Sequence, residues 1–232
     1  MITGVIGPSD EEIEHLIKKC YIDSVYEKAS LKFYSGFYGE AQVVLVICGV
    51  GKVNACIATQ VLIDILEVTH IILTGAAGAL GDSLKHGDVV ISTAVAHHDL
   101  PQEILTEYHP WMKSIFIEAD TAMVNECIRI AGEDQDHGNI YAGKMISGEE
   151  FIASSEKRKR LDSFGAMCVD MESASIAQTC YVNHIPFVVI RSISDHADEE
   201  SVESFETHVE SVSLNALCLV EKLLVSLHKP LI

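Results

Sequence analysis

Five short, nearly unbroken apolar runs punctuate the chain: ITGVIG (2–7), AQVVLVIC (41–48), HIILTGA (70–76), GDVVISTAVAH (87–97) and PFVVIRSIS (186–194). Each is bounded by glycine or polar residues, the mark of strands covered on both faces. Between them the period changes. In 9–20, Ile13, Leu16, Ile17 and Cys20 recur at i, i+3, i+4, i+7 spacing, which gives a helix one apolar face; 52–67, 119–132, 170–183 and 206–228 behave similarly. Strands alternating with helices predict an α/β fold with a mostly parallel sheet between helical layers. The least patterned stretch, HHDLPQEILTEYHPWM (97–112), holds two of the five prolines and the single tryptophan. A long loop with large apolar residues covers either a site or a subunit partner.

No internal repeat, low-complexity tract or long Pro/Ser-rich linker divides the sequence, so 1–232 reads as a single domain. Its 34 acidic and 16 basic residues give a net charge of −18, which repels phosphate backbones and anionic membrane surfaces. Neither a nucleic-acid nor a membrane partner is expected. The seven cysteines are scattered, mostly in apolar runs and without a C-x-x-C pair, and read as buried thiols of a reducing cytosol. No stretch approaches the ~18 to 20 apolar residues that span a bilayer, so the expectation is a soluble cytoplasmic protein.

Candidate chemistry comes down to carboxylates. GVGK (49–52) fails as a phosphate loop because Val46 stands where the first glycine is needed and Val53 where Ser or Thr would hold magnesium. TGAAGALG (74–81) lacks the G-x-G-x-x-G spacing, so both read as tight strand-to-helix turns. His97, His98 and Asp99 cluster without any metal-binding spacing, G-x-S-x-G is absent, and no cysteine has an activating flank. Glu12 completes a Ser9-x-x-Glu12 capping box, Asp170 and Glu172 fall where a helix opens, and Asp195 ends the last apolar strand. Each acid has an adequate structural role by itself. Together Glu12, the 74–79 turn and Asp195 follow strand ends, where ligands of α/β sheets sit, and they could converge with Arg191 on one crevice.

ISGEEFI (146–152), VDMESASIA (169–177) and IPFVVIRSISDHAD (185–198), with GVIGPSDEE, GVGKVNA (49–55) and TGAAGAL (74–80) in order before them, resemble the 5′-methylthioadenosine/S-adenosylhomocysteine nucleosidases of the purine nucleoside phosphorylase-like superfamily. The Met-Glu segment followed by R-x-I-S-D is the specific part. The resemblance implies a three-layer fold with a mixed central sheet flanked by helices. It also implies a homodimer with the 97–112 loop at the subunit boundary, and hydrolysis of an adenine nucleoside without metal or organic cofactor. By resemblance, Asp195 protonates adenine N7, Glu12 deprotonates the attacking water, and Arg191 helps hold that water. Glu172 would bind the ribose hydroxyls with Met171 packed on the sugar, Phe151 would stack on the purine and Ile152 would meet its edge. Val50 and Phe205 would line the 5′-thio pocket.

The pattern is not followed everywhere. Ala76 stands where the family commonly has a serine that helps hold the water, which implies slower turnover unless another group compensates. Glu149 and Asp170 exchange the usual acid lengths, Pro8 and Ser9 replace residues near the ribose, and the 97–112 loop departs most. Two alternatives stay open: a phosphate-dependent phosphorylase, against which the glycine turns offer only Lys52, and a weakened member that binds adenine nucleosides without turning them over.

Overall fold

The computed structural model describes residues 1–101, 103–133 and 138–228. The chain runs β1 (Thr3–Gly7), α1 (Asp10–Lys19), β2 (Tyr21–Lys28), β3 (Leu31–Tyr38), β4 (Ala41–Ile47), α2 (Lys52–Asp64), β5 (His70–Ala79) and β6 (Val89–His97). It continues through α3 (Glu103–Glu107), β7 (Ile117–Glu118), α4 (Thr121–Glu133), β8 (Ile140–Ser147), α5 (Ser155–Arg160), β9 (Cys168–Asp170), α6 (Ser173–Asn183), β10 (Phe187–Asp195) and α7 (Ser201–Leu227). All strands join one sheet of order β10-β6-β8-β9-β5-β1-β4-β3-β2, with β7 on β6. Because β10 also pairs with β5, the segment β5-β9-β8-β6-β10 closes on itself.

The five apolar runs are strands, and β1, β5 and β10 have no exposed residue. Burial on both faces explains their unbroken apolar composition. The sheet is mixed rather than mostly parallel: β1 pairs parallel with β4 and β5, β5 with β10, and β8 with β6 and β9, whereas β2–β3, β3–β4, β5–β9, β6–β7 and β6–β10 are antiparallel. The antiparallel hairpin β2–β3 carries no apolar run because β2 is exposed along almost its whole length.

The stretch TGAAGA, expected as a turn, is the second half of β5. Residues 170–172 precede α6, with Asp170 ending β9. The 97–112 stretch contains α3, and its Gln102 lies outside the described residues. Four cysteines are buried as expected, but Cys56 is exposed and Cys20 and Cys218 are half-buried. No helix among the described residues is long and apolar enough to cross a membrane.

Candidate active site

A cavity of about 360 Å³ opens at the carboxyl ends of β1, β5, β9 and β10, within the range of small-ligand sites. Nine of the ten residues singled out from the sequence line it; Arg191 does not. Pro8, Gly78, Val169, Asp170, Ser194 and Glu206 also contribute to its wall; of these the sequence had pointed to Pro8 and to the turn that holds Gly78, and not to Val169, Ser194 or Glu206.

Glu12 enters the cavity from the first turn of α1, where it is buried. Ser9 makes no side-chain cap, so the capping box does not form. Instead Glu12 Oε1 accepts the Ala76 N–H at 2.7 Å and lies 3.5 Å from Arg191 Nη1. This approach depends on Gly75 (φ +141°), where any Cβ would collide with both Glu12 Oε1 and Arg191 Nη1.

Arg191, fully buried on β10, forms the floor beneath the cavity. Its Nε donates to Asp170 Oδ2 at 2.8 Å, Nη2 to Glu172 Oε2 at 2.9 Å, and Nη1 to the Thr74 carbonyl at 3.3 Å. It therefore holds carboxylates in place, with its closest contacts to Asp170 and Glu172 rather than to Glu12. Glu172 Oε1 in turn accepts the Gly51 N–H at 2.9 Å, which ties this part of the cavity wall to the GVGK turn. Asp170 accepts from the Ser147 and Ser173 hydroxyls and from the backbone N–H groups of Glu172 and Ser173.

One guanidinium among three buried carboxylates leaves excess negative charge, and the three acids resolve it differently. Burial pushes Glu172 up to about 7, the neighbouring Asp170 charge adds to this, and Arg191 and the Gly51 N–H oppose it. Burial likewise raises Glu12 above the usual carboxylate range, against Arg191 and the Ala76 N–H. Burial would raise Asp170 too, but Arg191 and the hydroxyls of Ser147 and Ser173 outweigh it and hold Asp170 below the usual range.

Asp195 sits across the cavity at the end of β10. A register shift against β5 between Ile193 and Asp195 re-aims the strand there. Asp195 Oδ2 accepts the Ser194 hydroxyl at 2.8 Å and Oδ1 the Ala197 N–H at 2.9 Å. It has no ion-pair partner among the described residues. Gly78 opposite lets Asp195 Oδ1 approach β5 closely. Phe151 and Phe205 meet edge to face, centroids 5.8 Å apart, and Ile152 is buried beside them, so an apolar slot flanks the acid.

Of the His97-His98-Asp99 cluster, Asp99 braces the GVGK turn, whereas His97 Nε2 meets Gln178 Oε1 at 3.0 Å. Lys52 Nζ binds both Asp99 oxygens (2.7 and 2.8 Å), Asp99 also accepts the Glu149 N–H, and Glu149 accepts the Lys52 N–H. The one lysine of that turn is thereby neutralised away from the cavity.

The phosphorylase superfamily model matches residues 2–225. A 5′-methylthioadenosine/S-adenosylhomocysteine nucleosidase of an Exiguobacterium species is 40% identical over 225 residues, 95% of this chain and 96% of that protein. The chain belongs to this nucleosidase family of the phosphorylase superfamily. Two crystal structures of such nucleosidases superpose with TM-scores of 0.90 at 33% identity. The Neisseria meningitidis enzyme, in complex with methylthio-immucillin-A, covers 97% of this chain and 99% of its own. The Colwellia psychrerythraea enzyme, in complex with adenine, covers 98% and 96%. The mixed, helix-flanked sheet is thus the family's fold.

Proposed function

We propose that the cavity hydrolyses the N-glycosidic bond of 5′-thio-substituted adenine nucleosides, methylthioadenosine and S-adenosylhomocysteine, releasing adenine. The observation that carries this reading is the pair of buried carboxylates, Glu12 and Asp195, lining one nucleoside-sized cavity. As the C1′–N9 bond breaks, its electron pair passes to the purine and Asp195 gives a proton to N7. Water attacks C1′, and its proton passes to Glu12. Positioned proton transfers of this kind contribute ~10²- to 10⁴-fold each. A base with its affinity for protons raised by burial suits the second role. Glu172 would bind the ribose hydroxyls, Met171 the sugar face, Phe151 and Ile152 the purine, and Val50 and Phe205 the 5′ group. Arg191 serves by holding Glu172 and Glu12 in place.

Adenine release from both nucleosides in phosphate-free buffer, unchanged on adding phosphate, is the expected result. Strict dependence on phosphate would instead establish a phosphorylase, and tight nucleoside binding without adenine release a non-catalytic member. Lys52, the cation of the GVGK turn, is tied to Asp99, and this favours water over phosphate.

The enzyme works as a cytoplasmic homodimer in methionine salvage, without nucleic-acid or membrane partners, on this reading. Exposed Val53 and Ile57 on α2, next to exposed Val50, and exposed Tyr108 and Trp111 in the 97–112 stretch support a covered apolar face. Sedimentation of wild type as a dimer and of Val53→Glu as a monomer tests it. All seven cysteines lie among the described residues and no disulfide joins them, which supports a reducing compartment.

A further inference from the structure

Ser9 presents an unexplained hydroxyl. It occupies the N-cap position of α1 yet caps nothing, and its Oγ is sealed from solvent with no regular hydrogen-bond partner. Buried polar groups left in that state call for a reason. Ser9 precedes Glu12 by three residues, and at an N-cap this spacing brings the two side chains together. The two contacts that hold the Glu12 carboxyl both fall on Oε1, from the Ala76 N–H and from Arg191 Nη1. Its second oxygen has no partner among the described residues, and the side chain lines the cavity. A donor on the helix side is therefore the piece missing from the carboxylate's support, and Ser9 is the hydroxyl at hand.

We propose that Ser9 is a positioning residue for the hydrolytic step: its hydroxyl donates to the free oxygen of ionised Glu12, as the Ala76 N–H holds the other oxygen from the strand side. This rests on the hydrolytic reading of Glu12. The Ser9 hydroxyl already favours the ionised form of Glu12 against the larger effect of burial. Exposed Glu11, on the same turn, is a competing acceptor held below its ordinary range first by backbone hydrogen bonding and then by Ser9. The other groups facing Glu12 are Arg191 of β10, Asp170 of β9, Glu172 ahead of α6 and Cys48 after β4. None of them changes in the test below.

Ser9→Ala and Ser9→Thr are compared with wild type on methylthioadenosine, with kcat, KM, the pH profile and thermal unfolding as readouts. For Ser9→Ala, kcat is expected to fall about 5- to 10-fold with KM within about twofold. The acid limb of kcat/KM should move to higher pH, and the unfolding temperature should stay put because no cap is lost. Ser9→Thr, which keeps the hydroxyl, should restore kcat and the acid limb. Unchanged kcat and acid limb in Ser9→Ala, with wild type active, overturns this inference alone. So does an equal loss in both variants accompanied by a lower unfolding temperature. A wild type that releases no adenine overturns both this inference and the reading beneath it.

Discussion

The two sides of the cavity hold their carboxylates by opposite means. On one side Glu12, Asp170 and Glu172 share the buried Arg191, so negative charge is partly offset by a cation inside the protein. On the other, Asp195 is equally buried but accepts from the Ser194 hydroxyl and the Ala197 N–H and has no ion-pair partner among the described residues. Environments this different can keep carboxyl groups of one site in separate roles, and they suit the base and acid roles proposed for Glu12 and Asp195. The apolar residues Phe151, Phe205 and Ile152 line the same cavity as Asp195, which under the proposed reaction would seat the purine beside that acid.

The contrast is best broken by removing the cation. Arg191→Met strands three buried carboxylates and should cost about 3–5 kcal/mol in denaturant unfolding. Asp195→Asn, which removes a carboxylate that balances no cation, should leave the unfolding midpoint near wild type. Equal destabilisation by the two would erase the distinction.

Chemistry should separate them differently. Asp195→Asn and Glu12→Gln are each expected to lower kcat at least ~10²-fold with the fold intact by circular dichroism. Near-normal turnover in either variant removes its assigned role.

A pH series sharpens the cation side. Glu172 is raised to about 7 in the folded protein, so its favourable contribution is complete below the unfolded value and is lost as pH rises through about 7. Buried His97, half-buried His70 and His98, and His86, all held below their ordinary value first by desolvation, act in the opposite direction as pH falls. The quantity to read is therefore the difference between proteins. The unfolding temperature of wild type should drop relative to Glu172→Gln between pH 6 and pH 8; parallel curves would contradict the raised value. In activity, kcat/KM should rise with pH through a limb above the ordinary carboxylate range, as Glu12 loses its proton.

The smallest effect is expected in the apolar slot. Phe205→Ala should raise KM for methylthioadenosine about 10-fold with kcat little changed, the sign of lost uniform binding. A fall in kcat alone would show that the ring acts on the transition state.

Much of this was readable along the chain because strands buried on both faces must be apolar throughout and helices must bury one stripe. The ends of β1 and β10 therefore announced Glu12 and Asp195 as crevice residues. The edge strand β2 sent no such signal, since a strand exposed along its length needs no apolar run. Asp170 showed along the chain as an acid at a helix opening but not as the partner of Ser147 and Arg191, which are distant in sequence. The expected place of Arg191 beside the water was displaced for the same reason: the guanidinium goes to its closest acceptors, Asp170 and Glu172.

By itself the order of apolar and polar residues determined the strands, the helices and the acids that end them, since those follow from local periodicity. Whether Glu12 would cap a helix or line the cavity was decided only by the tertiary structure. The two states differ in whether its carboxylate finds a donor three residues back or one on β5, and the absence of a side chain at Gly75 leaves room for the second. Such a choice between near and far partners is made by packing, because a desolvated carboxylate settles wherever the assembled fold presents its strongest donors.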